Sequence, residues 1–399
     1  MLLLATLGVA LAWPAATAQD LAPEVIPAAR FNTSVPLRAM PLPPINHRSL
    51  PPAVVPNRFH NFDKPARNPG ADRPDFADPV LDAGRGSAGP GTVLESFDGV
   101  SAAETIYVPP DTNGDVGPDH YVQWINGTAK VYDKAGTVVL GPVPGTFFFQ
   151  GLGGPCESQN DGDPIVLYDH LADCWVAMQF QLTVGFDLCM AVSVTPDPTG
   201  AYHQYEFDFE NFPDYPKISV WPDAYYATTR SLGSGLRVEA IAFERAAMLE
   251  GQPANMVKFL VPLDGSSFTV DGYLPADLDG PPPPAGTPGP FVGGPEAPPQ
   301  DLRLFGLEAD WGTPSASTFT LLDTLTPAPY DNLVIITATS ATARRSCSTT
   351  PSTPGMTGRA CGGTNCATAR ATPAAGGAST SRAPARRTTA SNGGLGRLR

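Results

Sequence analysis

The stretch NDGDPIVLYDHLADCWVAMQF, Asn160 to Phe180, decides the fold. It packs an acidic loop, a β-branched run, a turn and a second strand-like run into about twenty residues. Two weaker copies flank it: DTNGDVGPDHYVQWI, Asp111 to Ile125, and DYPKISVWPDAYYATT, Asp214 to Thr229. In each, a short strand ends in a turn carrying Asp119, Asp173 or Asp223, and two residues later comes Tyr121, Trp175 or Tyr225. These aromatics are 54 and 50 residues apart. A period of that size, with strand signals in every unit and no helical pattern, is the sequence form of a β-propeller blade.

The units continue in the same style. After HYVQWIN comes AKVYDKAGTVVLGP, a hairpin with Asp133 to Gly136 at its turn. The second unit runs on through DLCMAVSVT (Asp187 to Thr195), a turn at Pro196 to Gly200, and an outer strand AYHQYEFDF. The third contains GLRVEAIAFERAAMLEG, in which Arg245 to Glu250 has room for a single helical turn. A fourth, less regular unit includes MVKFLVPL, a Pro-rich loop, LRLFGLEADW and STFTLLDTL. The expected fold is all-β, an incomplete propeller of about four recognisable blades over residues 92–335.

Composition agrees. Of 399 residues 46 are Pro and 40 are Gly, which makes the chain turn-rich. The apolar share of 42% leaves room for one large core. Residues 1–340 carry 16 basic against 39 acidic residues, a balance that excludes a nucleic-acid or anionic-membrane partner for the folded part and favours cations.

The first residues, MLLLATLGVALAWPAATAQD, read as a secretory signal, with Ala16, Thr17 and Ala18 in the positions a signal peptidase reads and cleavage before Gln19. The run is shorter than the roughly 20 residues that span a bilayer. No later segment is long enough to cross either, so the expected product is exported, periplasmic or extracellular. Residues 19–91 are rich in Pro, Ala, Arg and Asn without apolar alternation and read as an extended arm. From Ala341 onward there is no Asp, Glu, Phe, Tyr or Trp. A disordered basic tail over 336–399 is one reading and a shifted reading frame is the other. Ala360 to Cys366 can be encoded as GCATGCGGTGGTACGAACTGC, and a neighbouring frame of that string reads Met-Arg-Trp-Tyr-Glu-Leu, a good strand.

The motifs PPDTNGDVGPDHYVQ, NDGDPIVLYDHLADCW and FPDYPKISVWPDAYYAT resemble a family of large secreted bacterial proteins with a β-propeller core. FERAAMLEGQPA and LPADLDGPPPPAG extend the likeness, which covers roughly residues 92–330. Members of that family are similar up to the tail, where they continue instead with strands that include an Arg-Trp-Tyr-Glu-Leu segment. The resemblance implies a truncated or mis-framed copy and brings no chemistry with it.

Chemistry must therefore come from the residues. With the tail set aside, Cys156, Cys174 and Cys189 remain, and an exported chain makes a disulfide the default. A Cys156–Cys189 bridge would staple the acidic loop to its blade and leave Cys174 free. HExxH, GxSxG and phosphate-loop signatures are absent, and His47, His60, His120, His170 and His203 show no metal-ligand spacing. A sialidase-like site is disfavoured, since residues 92–330 hold only Arg230, Arg237, Arg245 and Arg303 to grip a carboxylate.

Asp115, Asp163 and Asp214 each precede an inner strand, so in a propeller they would converge on one mouth of the channel, with Tyr215 and Lys217 nearby. Against this stands plain turn chemistry, which also places Asp before Gly or Pro. Two functional classes follow: an exported binding or cell-surface protein for glycans, proteins or envelope material, and a glycan-active hydrolase with its carboxylates at the mouth. Asp111, Asn113 and Asp115, at alternate positions of DTNGD, form an oxygen-rich loop suited to Ca2+, and Asp161 would join from the neighbouring unit. The twelfth position of a full EF-hand loop is Val122 rather than Glu, and an Asx-turn entering a strand is the competing reading.

Overall fold

The residues CWVAMQFQ, Cys174–Gln181, are buried along their whole length. Alternate side chains of a strand leave on opposite faces, and here both faces are covered, Trp175 and Ala177 on one side and Val176, Met178 and Phe180 on the other. This doubly covered strand sits in the second of four sheets. The computed structural model describes residues 21–43, 53–54, 94–232, 236–261, 272–294 and 301–327. The leader, much of the arm and the tail from 336 lie outside the described residues.

In chain order, two arm strands come first, β1 (Glu24–Pro27) and β2 (Arg30–Thr33), then a short parallel pair of β3 (Ala53–Val54) with β4 (Tyr107–Val108). Sheet I follows, made of β5 (Thr112–Val116), β6 (His120–Ile125), β7 (Thr128–Asp133) and β8 (Val138–Pro144). Sheet II takes β9 (Gly162–Asp169), β10 (Cys174–Gln181), β11 (Asp187–Ser193) and β12 (Tyr202–Asp208). Sheet III takes β13 (Phe212–Val220), β14 (Tyr225–Leu232), β15 (Leu236–Phe243) and β16 (Asn255–Val261). Sheet IV takes β17 (Leu274–Pro275), β18 (Gly289–Gly293), β19 (Leu302–Glu308) and β20 (Thr318–Leu325). Every sheet is an antiparallel meander of consecutive strands, so the all-β reading holds. The helical turn expected near Arg245 is present as a short helix, Arg245–Leu249.

The arm does more than extend. β2 pairs with β12 and β1 with β16, giving sheets II and III a fifth, outermost strand each. Edge strands need neighbours or charges to stay soluble, and the arm covers two edges at once. Lys258 on β16 reaches both Glu24 of the arm (3.1 Å) and Glu239 on β15 (3.4 Å).

Three apolar layers lie between successive sheets. Trp124, Val131 and Phe148 of the first unit meet Trp175, Ala191 and Tyr202 of the second. Met178, Met190 and Phe207 of sheet II meet Ile218, Tyr225 and Met256 of sheet III. Tyr226, Val257 and Phe259 of sheet III meet Phe291, Leu307 and Phe319 of sheet IV. The first strands of neighbouring sheets are tied by side chains rather than by a ladder. Val166 N–H donates to Asn113 Oδ1 (2.7 Å), Tyr168 N–H to Asp115 Oδ2 (2.8 Å), and Val220 N–H to Asp277 Oδ1 (2.8 Å).

The Cys156–Cys189 bridge is formed, Cα to Cα 5.6 Å, joining a short helix (Gly154–Ser158) to β11, and Cys174 is a buried free thiol. Among the described residues no helix is long and apolar enough to cross a membrane.

Candidate functional site

The first strands of sheets I, II and III each carry or follow a residue of unusual backbone. Asp111, Asp163 and Tyr215, spaced 52 residues apart, have positive φ of 38°, 44° and 52°. Left-handed backbone disfavours residues with a Cβ by about 1–2 kcal/mol, so packing around each position must hold it there. Asp163-Pro164 and Tyr215-Pro216 also fall where strand pairing slips, between Met178 and Phe180 in one sheet and between Asp214 and Lys217 in the other. Bulges re-aim side chains. The charge of the Lys217 ammonium, beside the second bulge, acts on the carboxyls of Asp111, Asp163 and Asp214.

The electrostatics follow from that crowding. Burial pushes the Asp163 carboxyl up to about 7, and the charges of Asp111 and Asp214 add to it against Lys217 and the Tyr215 backbone N–H. Burial likewise raises Asp111, opposed by Lys217 and by Asn126, whose Nδ2 donates to Asp111 Oδ2 at 2.9 Å. Asp214 is raised by burial and held back by Arg230, which lies opposite it in the strand register. Lys217 is lowered by burial, with Arg230 pushing the same way and the carboxylates resisting. With a proton on Asp163, two carboxylates face two cations.

Tyr215 is exposed, 44% accessible, and so is Asp111. Lys217 Nζ lies 3.6 Å and Arg230 Cζ 4.6 Å from its ring centroid, both within cation–π range. Beside it opens a cavity of about 180 Å³ lined by Tyr215, Thr228, Thr229, Arg230 and Tyr273 together with Gly272 and Leu274. Thr228 Oγ1 donates to the Tyr273 carbonyl (2.6 Å) and Thr229 Oγ1 to Glu239 (2.7 Å), so both hydroxyls keep acceptor capacity for a ligand.

Asp163, Asp214, Tyr215 and Lys217, expected at one mouth, thus come together, whereas Asp115 does not join them. Its carboxylate accepts from Tyr168 N–H and from Val116 N–H (2.8 Å). The oxygen loop expected to suit calcium is likewise dispersed. DTNGD enters β5, where Asn113 and Asp115 share one strand face and bond to β9, while Asp111 holds Asn126. Asp161 accepts from Leu182 N–H (2.7 Å) and Thr183 Oγ1 (3.2 Å) at the far end of β10.

Among the described residues, the acidic side chains that do gather within 4.8 Å are Asp187, Glu206 and Asp208. Arg30 pairs with Glu206, Gln181 donates to Asp187, and burial with Asp208 and Glu206 pushes Asp187 up to about 8. Sequence reading missed Arg230 and Asn126 as site residues, because only the strand register and a turn conformation bring them in. Compared with known proteins, the chain matches no family model, no curated protein and no solved structure.

Proposed function

We propose that the mouth formed by Asp111, Asp163, Asp214, Tyr215, Lys217 and Arg230 binds a hydroxyl-rich ligand, a glycan or a saccharide of the cell envelope, on an exported protein whose four sheets are blades of a β-propeller. The observation that carries this is the left-handed backbone of three non-glycine residues, Asp111, Asp163 and Tyr215, at a spacing of 52 residues in or just before the first strands of three sheets. Backbone strain held at a regular spacing is the kind of outlier from which a functional site is inferred. The cavity beside Tyr215 offers hydroxyl acceptors, an aromatic edge and a guanidinium, the mixture that a sugar ring uses. Export is supported by the leader-like start and by the Cys156–Cys189 bridge, which fits an oxidising compartment.

The test is a glycan array followed by calorimetry on the full chain, comparing wild type with Tyr215→Gly and Asp163→Asn. Gly suits the positive φ, so Tyr215→Gly should keep the fold while lowering affinity at least tenfold, about 1.4 kcal/mol. Absence of saccharide binding, or affinities unchanged in both variants, removes the reading. A second reading, glycan hydrolysis, draws on one observation: Asp163 is pushed up to about 7 beside carboxyls it interacts with, the contrast a general acid needs. Turnover of chromogenic glycosides that disappears in Asp163→Asn would select it.

A further inference from the structure

A second polar site lies away from the mouth cavity, at the junction of sheets I and II. Gln179 on β10 and Trp124 on β6 are fully buried. Gln179 Nε2 donates to the Gln159 carbonyl (3.4 Å), and Asn160 Nδ2 donates to the Gly127 carbonyl (2.8 Å) and to Tyr107 Oη (3.0 Å). Their NH2 groups fix both amides, which leaves the oxygens pointing elsewhere. Gln179 Oε1, Asn160 Oδ1 and the indole Nε1 of Trp124 are all buried without a hydrogen-bond partner.

The two amide oxygens and the Trp124 ring meet at Gly145. A Cβ on that residue would stand 2.4 Å from Gln179 Oε1, 2.7 Å from Asn160 Oδ1 and 2.4 Å from Cζ2 of the Trp124 ring. Gly145 has no left-handed φ, so glycine is required there by space and not by conformation. Both oxygens fall within the span of two hydrogen bonds meeting at one atom, about 5.6 Å.

We propose that this junction holds one internal water molecule, which donates to Gln179 Oε1 and Asn160 Oδ1 and accepts from Trp124 Nε1. The count of groups selects the ligand. Two acceptors and one donor match a water's two protons and a lone pair, and buried waters make about three such bonds. A monovalent cation would satisfy the oxygens but would face the positive end of the indole N–H. The water ties β6, the loop at Asn160 and β10 into one unit against Gly145, whose turn delivers Phe147, Phe148 and Phe149 into the layer between sheets I and II.

A crystal structure of the full chain, with a parallel rubidium soak, tests the site. The expected result is a spherical peak about 2.7–3.2 Å from both amide oxygens and from Trp124 Nε1, with no anomalous signal from rubidium. A rubidium peak there would make it a cation site and overturn the proposal, as would direct amide-to-amide bonding with no density between. In solution, the Trp124 indole proton, assigned by its loss in Trp124→Phe, should show cross-relaxation to a long-lived water. Its absence in a folded sample also counts against the site. Gly145→Ala should expel the water and lower the melting temperature, and retention of the same peak in that variant would place the water elsewhere.

Discussion

Asp163 holds its proton more tightly folded than unfolded, and this sets the sign of its pH effect. An unfolded Asp titrates near 3.9, whereas the folded carboxyl is pushed up to about 7. Between those values the native state binds a proton that the unfolded chain has lost, so stability falls as pH rises through that window and levels off above it. Asp163→Asn should flatten the fall by up to one proton equivalent, read from urea melts across pH 4 to 8, and should be the more stable protein at pH 8. An unchanged slope would show that the carboxyl is not buried among Asp111 and Asp214. Asp163, Asp214, Tyr215 and Lys217 were legible in sequence because they lie in short runs marked by Gly and Pro that lead into apolar stretches. Arg230 was not, since its place opposite Asp214 depends on a register that includes a bulge.

At the scale of elements, the disulfide and the arm make separate predictions. The Cys156–Cys189 bridge closes a loop of sequence separation 33, and loop closure of that size contributes about 3–4 kcal/mol. Reduction should lower the unfolding free energy by that order in a denaturant titration with and without reductant, while Cys174→Ala leaves the difference intact. The arm is pinned at Arg30, 46% exposed, against Glu206, 1% exposed. Arg30→Ala would strand a buried carboxylate beside Asp187 and Asp208, so chymotrypsin should cut faster after Phe31 than in wild type. These arm strands escaped sequence reading for a plain reason. Their side chains are almost all exposed, so they show no alternation, and their pairing is carried by backbone groups that any sequence supplies.

Across the whole molecule, sheets II and III are coupled by a buried ion pair as well as by apolar packing. Arg245 donates to Asp169 through Nε (2.7 Å) and Nη2 (3.0 Å), and Tyr225 Oη adds a third bond at 2.9 Å. Asp169→Asn and Arg245→Met should each cost roughly 3–5 kcal/mol, because each leaves one buried partner uncompensated. The double variant should lose less than the sum, and additive losses in the cycle would deny the coupling. The repeat of about fifty residues, and with it the succession of sheets, was legible because both faces of the middle strands are covered and hence apolar. Side-chain ties such as Asp277 to Val220 were not, because Asp before a turn looks the same whether it caps its own loop or reaches another sheet.

The long-range pairing of β2 carries a consequence for synthesis. Arg30 and Glu206 are 176 residues apart, and a ribosome adding about 5–20 residues per second needs roughly 9–35 s to cover that distance. Throughout that interval the first-made strands have no partner, and the later edges of sheets II and III close only when the oldest part of the chain returns to them. The nascent arm is therefore a ready substrate for holding factors or proteases, and its capture is among the last events of folding.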